Sequence, residues 1–247
     1  MRTKLSVNLN KIALLRNSRG HDYPNVIEFA QKALDAGADG ITIHPRPDQR
    51  HATYADVKGL ASLMKSHTDA ELNIEGYPND AFLEIVLQYK PDQVTLVPDA
   101  PDQLTSDHGW NLSKHHALVR DVVARIRSAG LRTSLFLDPV AEQIDIAAKI
   151  ETDRIELYTA GYAQAFNTDQ DDEVYNRYQS AALHAQDAGL GVNAGHDLNL
   201  ENLGQFLGIP GILEVSIGHA LTVESLDHGF ANVIGKYMEI IHAVETK

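Results

Sequence analysis

Short β-prone runs alternate with longer helical patterns along this chain, and the alternation repeats eight times. Strands are predicted at residues 4–9, 40–44, 71–75, 93–97, 131–137, 154–158, 190–193 and 214–217. Two parallel strands can be joined only through a crossover connection, which is usually a helix. Eight such units favour closure over an open sheet. We therefore predict one α/β domain over residues 1–247, a (β/α)8 TIM barrel.

The stretches between the strands are predicted helices, at residues 25–36, 55–66, 80–89, 114–128, 141–150, 172–188, 202–207 and 221–245. Two polar connections, residues 98–113 and 161–171, are longer than the others. We expect them to be lid loops at the C-terminal rim of the barrel, where extra helices are also expected. An open doubly wound sheet usually carries a glycine-rich phosphate loop after its first strand, whereas this chain continues NLNKIALLRNSRG.

The charge balance excludes several kinds of partner. Of the 247 residues, 21 are Lys or Arg and 34 are Asp or Glu, which gives a net charge of −13. Such a chain repels polyanions, so neither nucleic acid nor an anionic membrane surface is expected to bind. The absence of cysteine excludes disulfides, thiolate nucleophiles and iron–sulfur clusters. No stretch approaches membrane-spanning length, and we expect a cytoplasmic protein.

Six apolar runs break off at a polar or ionisable side chain, and in a parallel barrel such strand ends share the rim that carries the active site. The clearest run is ITIHPRPDQRH, where His44 is followed by Arg46, Arg50 and His51. Histidine can exchange a proton near neutral pH, and arginine can hold a phosphate through two hydrogen bonds. A solvated charged loop is the alternative interpretation.

Two glutamates stand at or near strand ends among apolar neighbours, Glu75 in LNIEG and Glu156 in IELYT. A carboxylate in the mouth of a barrel is partly desolvated, which raises its pKa toward the range that is useful for proton transfer. Each could instead be a structural acceptor for a nearby arginine or backbone N–H. The sequence therefore predicts candidate acid–base groups and leaves their roles open.

The last two strands end in Gly-His pairs, in VNAGHDL and VSIGHAL. Glycine would let the backbone approach a ligand closely beside His196 and His219. The second pair also opens a helix, whose N-terminal amides could receive a phosphate. A hydrogen-bonded structural histidine is the alternative at both places.

The first strand contributes Asn8, Asn10 and Lys11, with Arg19 in the turn beyond. Strand alternation places the two asparagines on the same side, where both could face the mouth of the barrel. Lys11 and Arg19 offer the positive charge that a phosphorylated ligand needs. Buried asparagines that satisfy neighbouring backbone groups are the alternative.

The stretches VNLNKIALLRNSRG, GADGITIHPRPDQRH, LNIEG, TLVPD, SLFLD, IELYTAGYA, VNAGHDL and IGHAL occur in an order that resembles the pyridoxine 5′-phosphate synthase family of de novo vitamin B6 synthesis. The resemblance covers nearly the whole chain. It implies a barrel of the transferase class that condenses 1-deoxy-D-xylulose 5-phosphate with 3-amino-2-oxopropyl phosphate into pyridoxine 5′-phosphate, inorganic phosphate and water. It further implies phosphorylated small molecules as partners, no metal or other cofactor, and a homo-octamer built from dimers.

The resemblance also implies roles for the matching residues. His44 and Glu75 would accept protons, His196 would donate one, and Glu156 would stabilise a transition state. The aminoketone phosphate would be bound by Asn8, Arg19, the backbone at Asp197, Gly218 and His219. The sugar phosphate would be bound by Asn10, Lys11, Arg46, His51 and Thr105. Which subunit supplies Arg19 to a given site is left open.

The chain departs from the common family pattern in three places. Asn10 and Lys11 replace a frequent Asp-His pair, which exchanges a negative and a titratable group for a neutral and a positive one. Asp197 stands where glycine is often found, so a ligand contact there would use the backbone. Tyr158 replaces a common histidine and gives Glu156 a different neighbour.

Two other classes of function remain open at this point. A metal-dependent TIM-barrel hydrolase or aldolase acting on a phosphorylated small molecule could use His44, Glu75, His196 and His219 as ligands. Against it, no His-x-His ends the first strand and no HExxH helix is present. A barrel that only binds or scaffolds is the second class, and the density of ionisable strand ends disfavours it.

Overall fold

The computed structural model describes residues 2–99 and 106–245, and within them eight parallel strands close into a barrel in chain order. The strands are β1 (Lys4–Asn8), β2 (Gly40–Ile43), β3 (Glu71–Gly76), β4 (Gln93–Leu96), β5 (Arg132–Leu137), β6 (Arg154–Tyr158), β7 (Gly191–Gly195) and β8 (Ile212–Ile217). Closure is completed by β8 pairing with β1, where Lys4 lies opposite Glu214. The predicted barrel is confirmed, and strand bounds differ from the predicted ones by no more than a few residues.

The helices that surround the barrel are α1 (Asn10–Asn17), α2 (Val26–Asp35), α3 (Tyr54–Leu63), α4 (Asp80–Tyr89), α5 (Leu112–Ser128), α6 (Ala141–Ile150), α7 (Ala160–Ala165), α8 (Asp171–Asp187), α9 (Leu203–Phe206), α10 (His219–His228) and α11 (Phe230–Glu245). A 3-10 turn, Met64–Ser66, follows α3. None of these helices is both long enough and apolar enough to cross a membrane, a statement that covers the described residues alone.

The helices differ from the predicted ones in three places. α1 begins directly after β1, and α7 occupies the start of the connection at 161–171, so both are extra helices of the kind expected at this rim. The single helix predicted over 221–245 is two helices, because Gly229 adopts a φ of 82° that breaks the hydrogen-bond ladder. Of the first long connection, residues 100–105 lie outside the described part of the chain.

Side chains alternate along each strand, and the apolar set faces the helices. Leu5, Val7, Ile41 and Ile43 are fully buried in this outer layer, which forms the main hydrophobic core. Because each strand buries one face against the helices, its other face fills the barrel. The helices begin at ordinary caps; for example, Asn25 accepts from the backbone N–H of Glu28 to start α2.

The inside of the barrel is polar. The amide nitrogen of Gln93 lies 3.4 Å from Oε1 of Glu214, and the side chain of Asn193 donates to Gln93 at 3.3 Å, so these contacts cross the barrel between strands that do not pair. One level higher, Thr95 donates to Asn73 at 2.9 Å and Asn73 to Thr42 at 3.3 Å. Since buried polar groups are costly unless they are hydrogen-bonded, this network keeps the interior satisfied beneath the rim.

Candidate active site

A cavity of about 490 Å³ opens at the C-terminal rim, and most of the predicted site residues line it. They are Asn8, Asn10, Lys11, His44, Arg46, His51, Glu75, Glu156, His196, Asp197, Gly218 and His219. Arg19 is exposed in the turn after α1 and does not line the cavity of its own chain. Thr105 lies outside the described residues. The strand ends therefore do converge, although they are spread over most of the sequence.

The ends of β1, β2 and β3 are joined by asparagine side chains. Asn8 donates through Nδ2 to Oε2 of Glu75 at 3.4 Å, and its Oδ1 accepts from the backbone N–H of Asn10 at 3.0 Å. Asn10 in turn accepts through Oδ1 from the backbone N–H of His44 at 2.8 Å. The aspartate that is common at this position in the family could accept the same bond, so Asn10 preserves the hydrogen-bond acceptor for His44. With Oδ1 occupied by this bond, the side chain of Asn10 can offer a ligand its Nδ2.

The loop after β2 places two histidines beside each other. Nδ1 of His51 accepts from the backbone N–H of Ala52 at 2.8 Å, so a neutral His51 carries its proton on Nε2. Burial, reinforced by the positive charge of Arg46, lowers the pKa of His51 to about 4. The same two causes, in the same order, lower the pKa of His44 well below 6.5. Both rings are neutral at neutral pH, and their centroids are 6.0 Å apart.

A buried ion pair fixes this loop against α1. Arg16 contacts Asp56 through two bonds, with Nη1 at 2.5 Å from Oδ1 and Nη2 at 2.9 Å from Oδ2. Nη2 also donates to the carbonyl of His51 at 3.2 Å. Asp56 closes a capping box with Thr53 at the start of α3. The helix that sequence patterning did not predict thus helps to shape the cavity.

Burial favours the protonated form of the two glutamates in the cavity. The pKa of Glu75 is raised to about 8, by burial first and then by the carboxylates of Asp99 and Glu214, whereas Arg46 opposes the shift. Burial, and then the charge of Glu75, raise the pKa of Glu156 well above 4.5. Within the described residues, Oε2 of Glu156 is buried and has no hydrogen-bond partner. The site therefore favours protons on these carboxyl groups and leaves His44 and His51 neutral.

His196 lies in the turn after β7, against an aromatic wall. Its ring centroid is 5.1 Å from that of Tyr158 and 6.0 Å from that of Phe136. Burial lowers the pKa of His196, although the carboxylate of Asp197 opposes this shift. Tyr158 and Phe136 line the cavity and were not among the predicted site residues. Strand alternation could have identified them. Tyr158 is two residues beyond Glu156 on β6, and Phe136 is two residues beyond Ser134 on β5.

The two Gly-His pairs have structural reasons for their glycines. A Cβ atom at Gly195 would lie 2.3 Å from Oε1 of Glu156. A Cβ atom at Gly218 would lie 3.0 Å from the Cβ of Asn8. Both glycines make room for other site residues. Gly218 is also the N-cap of α10, as expected for a helix that begins at this rim.

Asp99 is a site residue that the sequence analysis missed. Its Oδ2 is bonded to Arg46 and accepts from the hydroxyl of Ser106 at 2.7 Å. Both partners of the ion pair are almost fully buried. Because the pairing takes up one part of the guanidinium, it holds Arg46 at a fixed position in the cavity wall. Asp99 ends the run TLVPD after β4, so the strand-end pattern could have identified it.

The ligand set required by the metal-dependent alternative does not assemble. In residues 2–99 and 106–245, no group of three or more His, Asp or Glu side chains is arranged to hold a metal ion. His44, Glu75, His196 and His219 share the cavity without forming such a group.

Comparison with known proteins identifies close relatives. The profile of the family described as pyridoxal phosphate biosynthesis protein PdxJ matches residues 5–243. The chain is 50% identical to pyridoxine 5′-phosphate synthase of Parabacteroides distasonis over 242 residues, which are 98% of this chain and 100% of that protein. It is 46% identical to the enzyme of the same name from Agrobacterium fabrum over 244 residues, 97% of each chain.

Solved structures add evidence on the fold alone. A mutant tryptophan synthase alpha-subunit from Pyrococcus furiosus superposes with a TM-score of 0.62 at 14% identity, over 99% of this chain and 96% of that one. A phosphoribosylanthranilate isomerase from Thermotoga maritima superposes with a TM-score of 0.59 at 12% identity, over 98% and 99%. Both comparisons agree with a barrel over the length of the chain.

Proposed function

The chain belongs to the family of the pyridoxal phosphate biosynthesis protein PdxJ, and from this premise we propose that it condenses 1-deoxy-D-xylulose 5-phosphate with 3-amino-2-oxopropyl phosphate. The products are pyridoxine 5′-phosphate, inorganic phosphate and water. The observation that carries the proposal is the convergence of neutral histidines, protonated carboxyl groups and cations on one cavity. Imine formation, loss of phosphate, ring closure and dehydration need proton transfers at several atoms, and such a set supplies them.

The sugar phosphate binds on the side of the cavity formed by β2 and its following loop. Arg46, Lys11 and His51 lie there, and the Nε2 proton of His51 is free to be donated to a phosphate oxygen. The contact between Arg46 and Asp99 supports this assignment, because it pre-positions the guanidinium in the cavity wall. Asn10 contributes its amide group, and Thr105 completes the set.

The aminoketone phosphate binds on the opposite side, near Asn8, the backbone at Asp197, and His219. Gly218 and His219 begin α10, a helix of 10 residues whose first N–H groups and dipole favour a phosphate. The separation of the two anion sites brings the reacting carbonyl and amine between the acid–base groups. Binding energy from both phosphates is then available to orient the reacting atoms.

His44 accepts a proton because burial keeps its ring neutral. Glu75 can accept one only after it has lost its own, and a protonated substrate amine beside it would lower its pKa and so favour that loss. His196 is also neutral, so the proton that it donates is one that it has taken up earlier in the reaction. Glu156 keeps its proton and can donate a hydrogen bond to charge that develops in the transition state.

A homo-octamer is part of the proposal and rests on the resemblance. Leu14 and Leu15 on α1 are 44% and 52% exposed, and Tyr23 and Leu226 are each 80% exposed. Helices α1 and α10 contact each other, so much of this apolar surface is adjacent. Arg19 follows α1 in the chain, is exposed and lies outside its own cavity, which supports a role in a neighbouring subunit. Light scattering after size exclusion would measure the mass directly.

A cytoplasmic location fits substrates that carry phosphate and do not cross membranes unaided.

The test is an assay of the purified protein with both substrates, followed by pyridoxine 5′-phosphate fluorescence and phosphate release in parallel. Each substrate alone should give neither signal. His44→Ala should abolish both signals, whereas His184→Ala, at a partly exposed histidine on α8, should leave them unchanged. Binding of both substrates without phosphate release would instead support a non-catalytic barrel. Activity that is lost on chelation and restored by added metal would support the metal-dependent alternative.

A further inference from the structure

The turn that carries His196 is strained. His196 has a φ of 88° and the next residue, Asp197, has a φ of 58°, and neither is glycine. In this region the side chain of an L-amino acid is crowded by its own backbone. Two consecutive residues of this kind persist only where surrounding contacts hold them in place, and such strain is concentrated at functional sites.

Thr159 supplies one set of those contacts. It follows β6, is fully buried and stands at the N-cap of α7, where a threonine hydroxyl normally accepts from an N–H of its own helix. No such bond is present here. The hydroxyl lies 2.7 Å from the carbonyl oxygen of Gly195 and is also bonded to the carbonyl oxygen of His196. The backbone N–H of Thr159 donates to Gly195 as well, at 3.0 Å.

Asn202 holds the other end of the turn. Its Nδ2 donates to the carbonyl oxygen of Asp197 at 3.1 Å, and its Oδ1 accepts from the backbone N–H of Asn199 at 2.9 Å. The side chain is 1% exposed, so neither bond competes with solvent. The carbonyl of Asn202 is itself fixed by the hydroxyl of Tyr162 at 2.7 Å. Three successive carbonyl groups, from Gly195 to Asp197, are thus held by residues outside the cavity.

The His196 ring needs such support from its backbone. Among the described residues it makes contacts with the rings of Phe136 and Tyr158 but no side-chain hydrogen bond. Ring packing limits where the imidazole lies and leaves its direction to the backbone of the turn. A small rotation of that backbone would move Nε2 and Nδ1 relative to the reacting atoms, and errors of about 1 Å can cost on the order of 100-fold in rate.

We propose that Thr159 and Asn202 are positioning residues that hold the strained turn and thereby direct His196 toward the substrates. This inference rests on the proposed function, which assigns proton donation to His196. Neither residue contacts the cavity, so both act through the turn rather than on the substrates. Loss of either clamp should therefore lower the rate of chemistry more than substrate binding.

The test compares Thr159→Val, which keeps the volume and removes the hydroxyl, with Thr159→Ser, which keeps the hydroxyl. We expect the valine variant to lose roughly tenfold or more in kcat with KM for both substrates within about twofold. The serine variant should stay within about threefold of the unaltered protein. Thr133→Val is the matched control, because Thr133 is equally buried and hydrogen-bonds Asp153 at the opposite end of the barrel. It should lower thermal stability and leave kcat unchanged.

A second readout does not depend on turnover. In protein labelled with [13C]histidine, Thr159→Val should shift or broaden the ring signal of His196, identified by its loss in His196→Gln, while Thr133→Val should not. If the unaltered protein forms no product, the proposed function fails and this signal still tests the clamp. If Thr159→Val does not fold, Asn202→Asp replaces it, since it removes the donor to Asp197 at constant volume. A normal kcat in a folded clamp variant, or an equal loss of kcat in the Thr133 control, would overturn the inference.

Discussion

Replacing Glu75 by glutamine should make the protein more stable and inactive, and the gain in stability should depend on pH. A carboxyl group with a folded-state pKa of about 8 and an unfolded value of 4.5 binds a proton more tightly in the folded protein. Its contribution to stability is fully present below pH 4.5 and is lost as the pH rises through 8. Glutamine carries no such penalty and can still accept the hydrogen bond from Asn8.

The size of the effect follows from the pKa difference. At about 1.36 kcal/mol for each pH unit, the raised pKa of Glu75 lowers the free energy of unfolding, relative to a side chain that does not titrate, by on the order of 5 kcal/mol well above pH 8, about 3 kcal/mol at pH 7 and under about 1 kcal/mol at pH 5. The free energy of unfolding of Glu75→Gln should therefore exceed that of the unaltered protein by a margin that grows by about 4 kcal/mol between pH 5 and pH 9. Because Glu75 is only 9% exposed, solvent screens its charge little and the full shift applies.

Urea unfolding followed by circular dichroism at fixed protein concentration measures this margin. Glu71→Gln is a control with the opposite sign on the same strand. Salt bridges from Arg132 and Lys4 outweigh burial and lower the pKa of Glu71 to about 2, so its stabilisation is present above pH 4.5 and is lost on acidification. That variant should be less stable than the unaltered protein at pH 7. A margin for Glu75→Gln that stays flat from pH 5 to pH 9 would refute the assigned burial and charge.

Three further variants test individual parts of the site. His44→Ala should abolish product formation with an unchanged far-UV spectrum; normal turnover would remove His44 from the proton-transfer set. Arg46→Ala should raise KM for the sugar phosphate more than it lowers kcat, and steady-state kinetics with an unchanged KM would contradict its phosphate role. Gly195→Ala would place a methyl group 2.3 Å from Oε1 of Glu156, so we expect a loss of about 1–3 kcal/mol in stability together with most of the activity. Gly235→Ala, where a Cβ meets nothing within 4 Å, is its control and should be at least as stable as the unaltered protein in thermal unfolding.

The local patterns that predicted the barrel also predicted most of the cavity lining. Strand alternation and the repeated return to the rim are properties of short segments, so residues such as His44, Glu75 and His196 could be assigned to one site from the order of the chain. The same reasoning failed for α1 and α7, which contain 8 and 6 residues. Helices of about two turns give few repeats from which a periodicity can be recognised.

The sequence alone determined which side chains reach the rim, because alternation and crossover connections are dictated locally. Only the tertiary structure decided which of them meet. The pairing of Arg46 with Asp99, the bond from Asn8 to Glu75 and the support of His196 by Thr159 each join segments that are far apart in the chain. The pKa of Glu75 likewise depends on burial and on charges from other strands, and both arise only when the barrel closes.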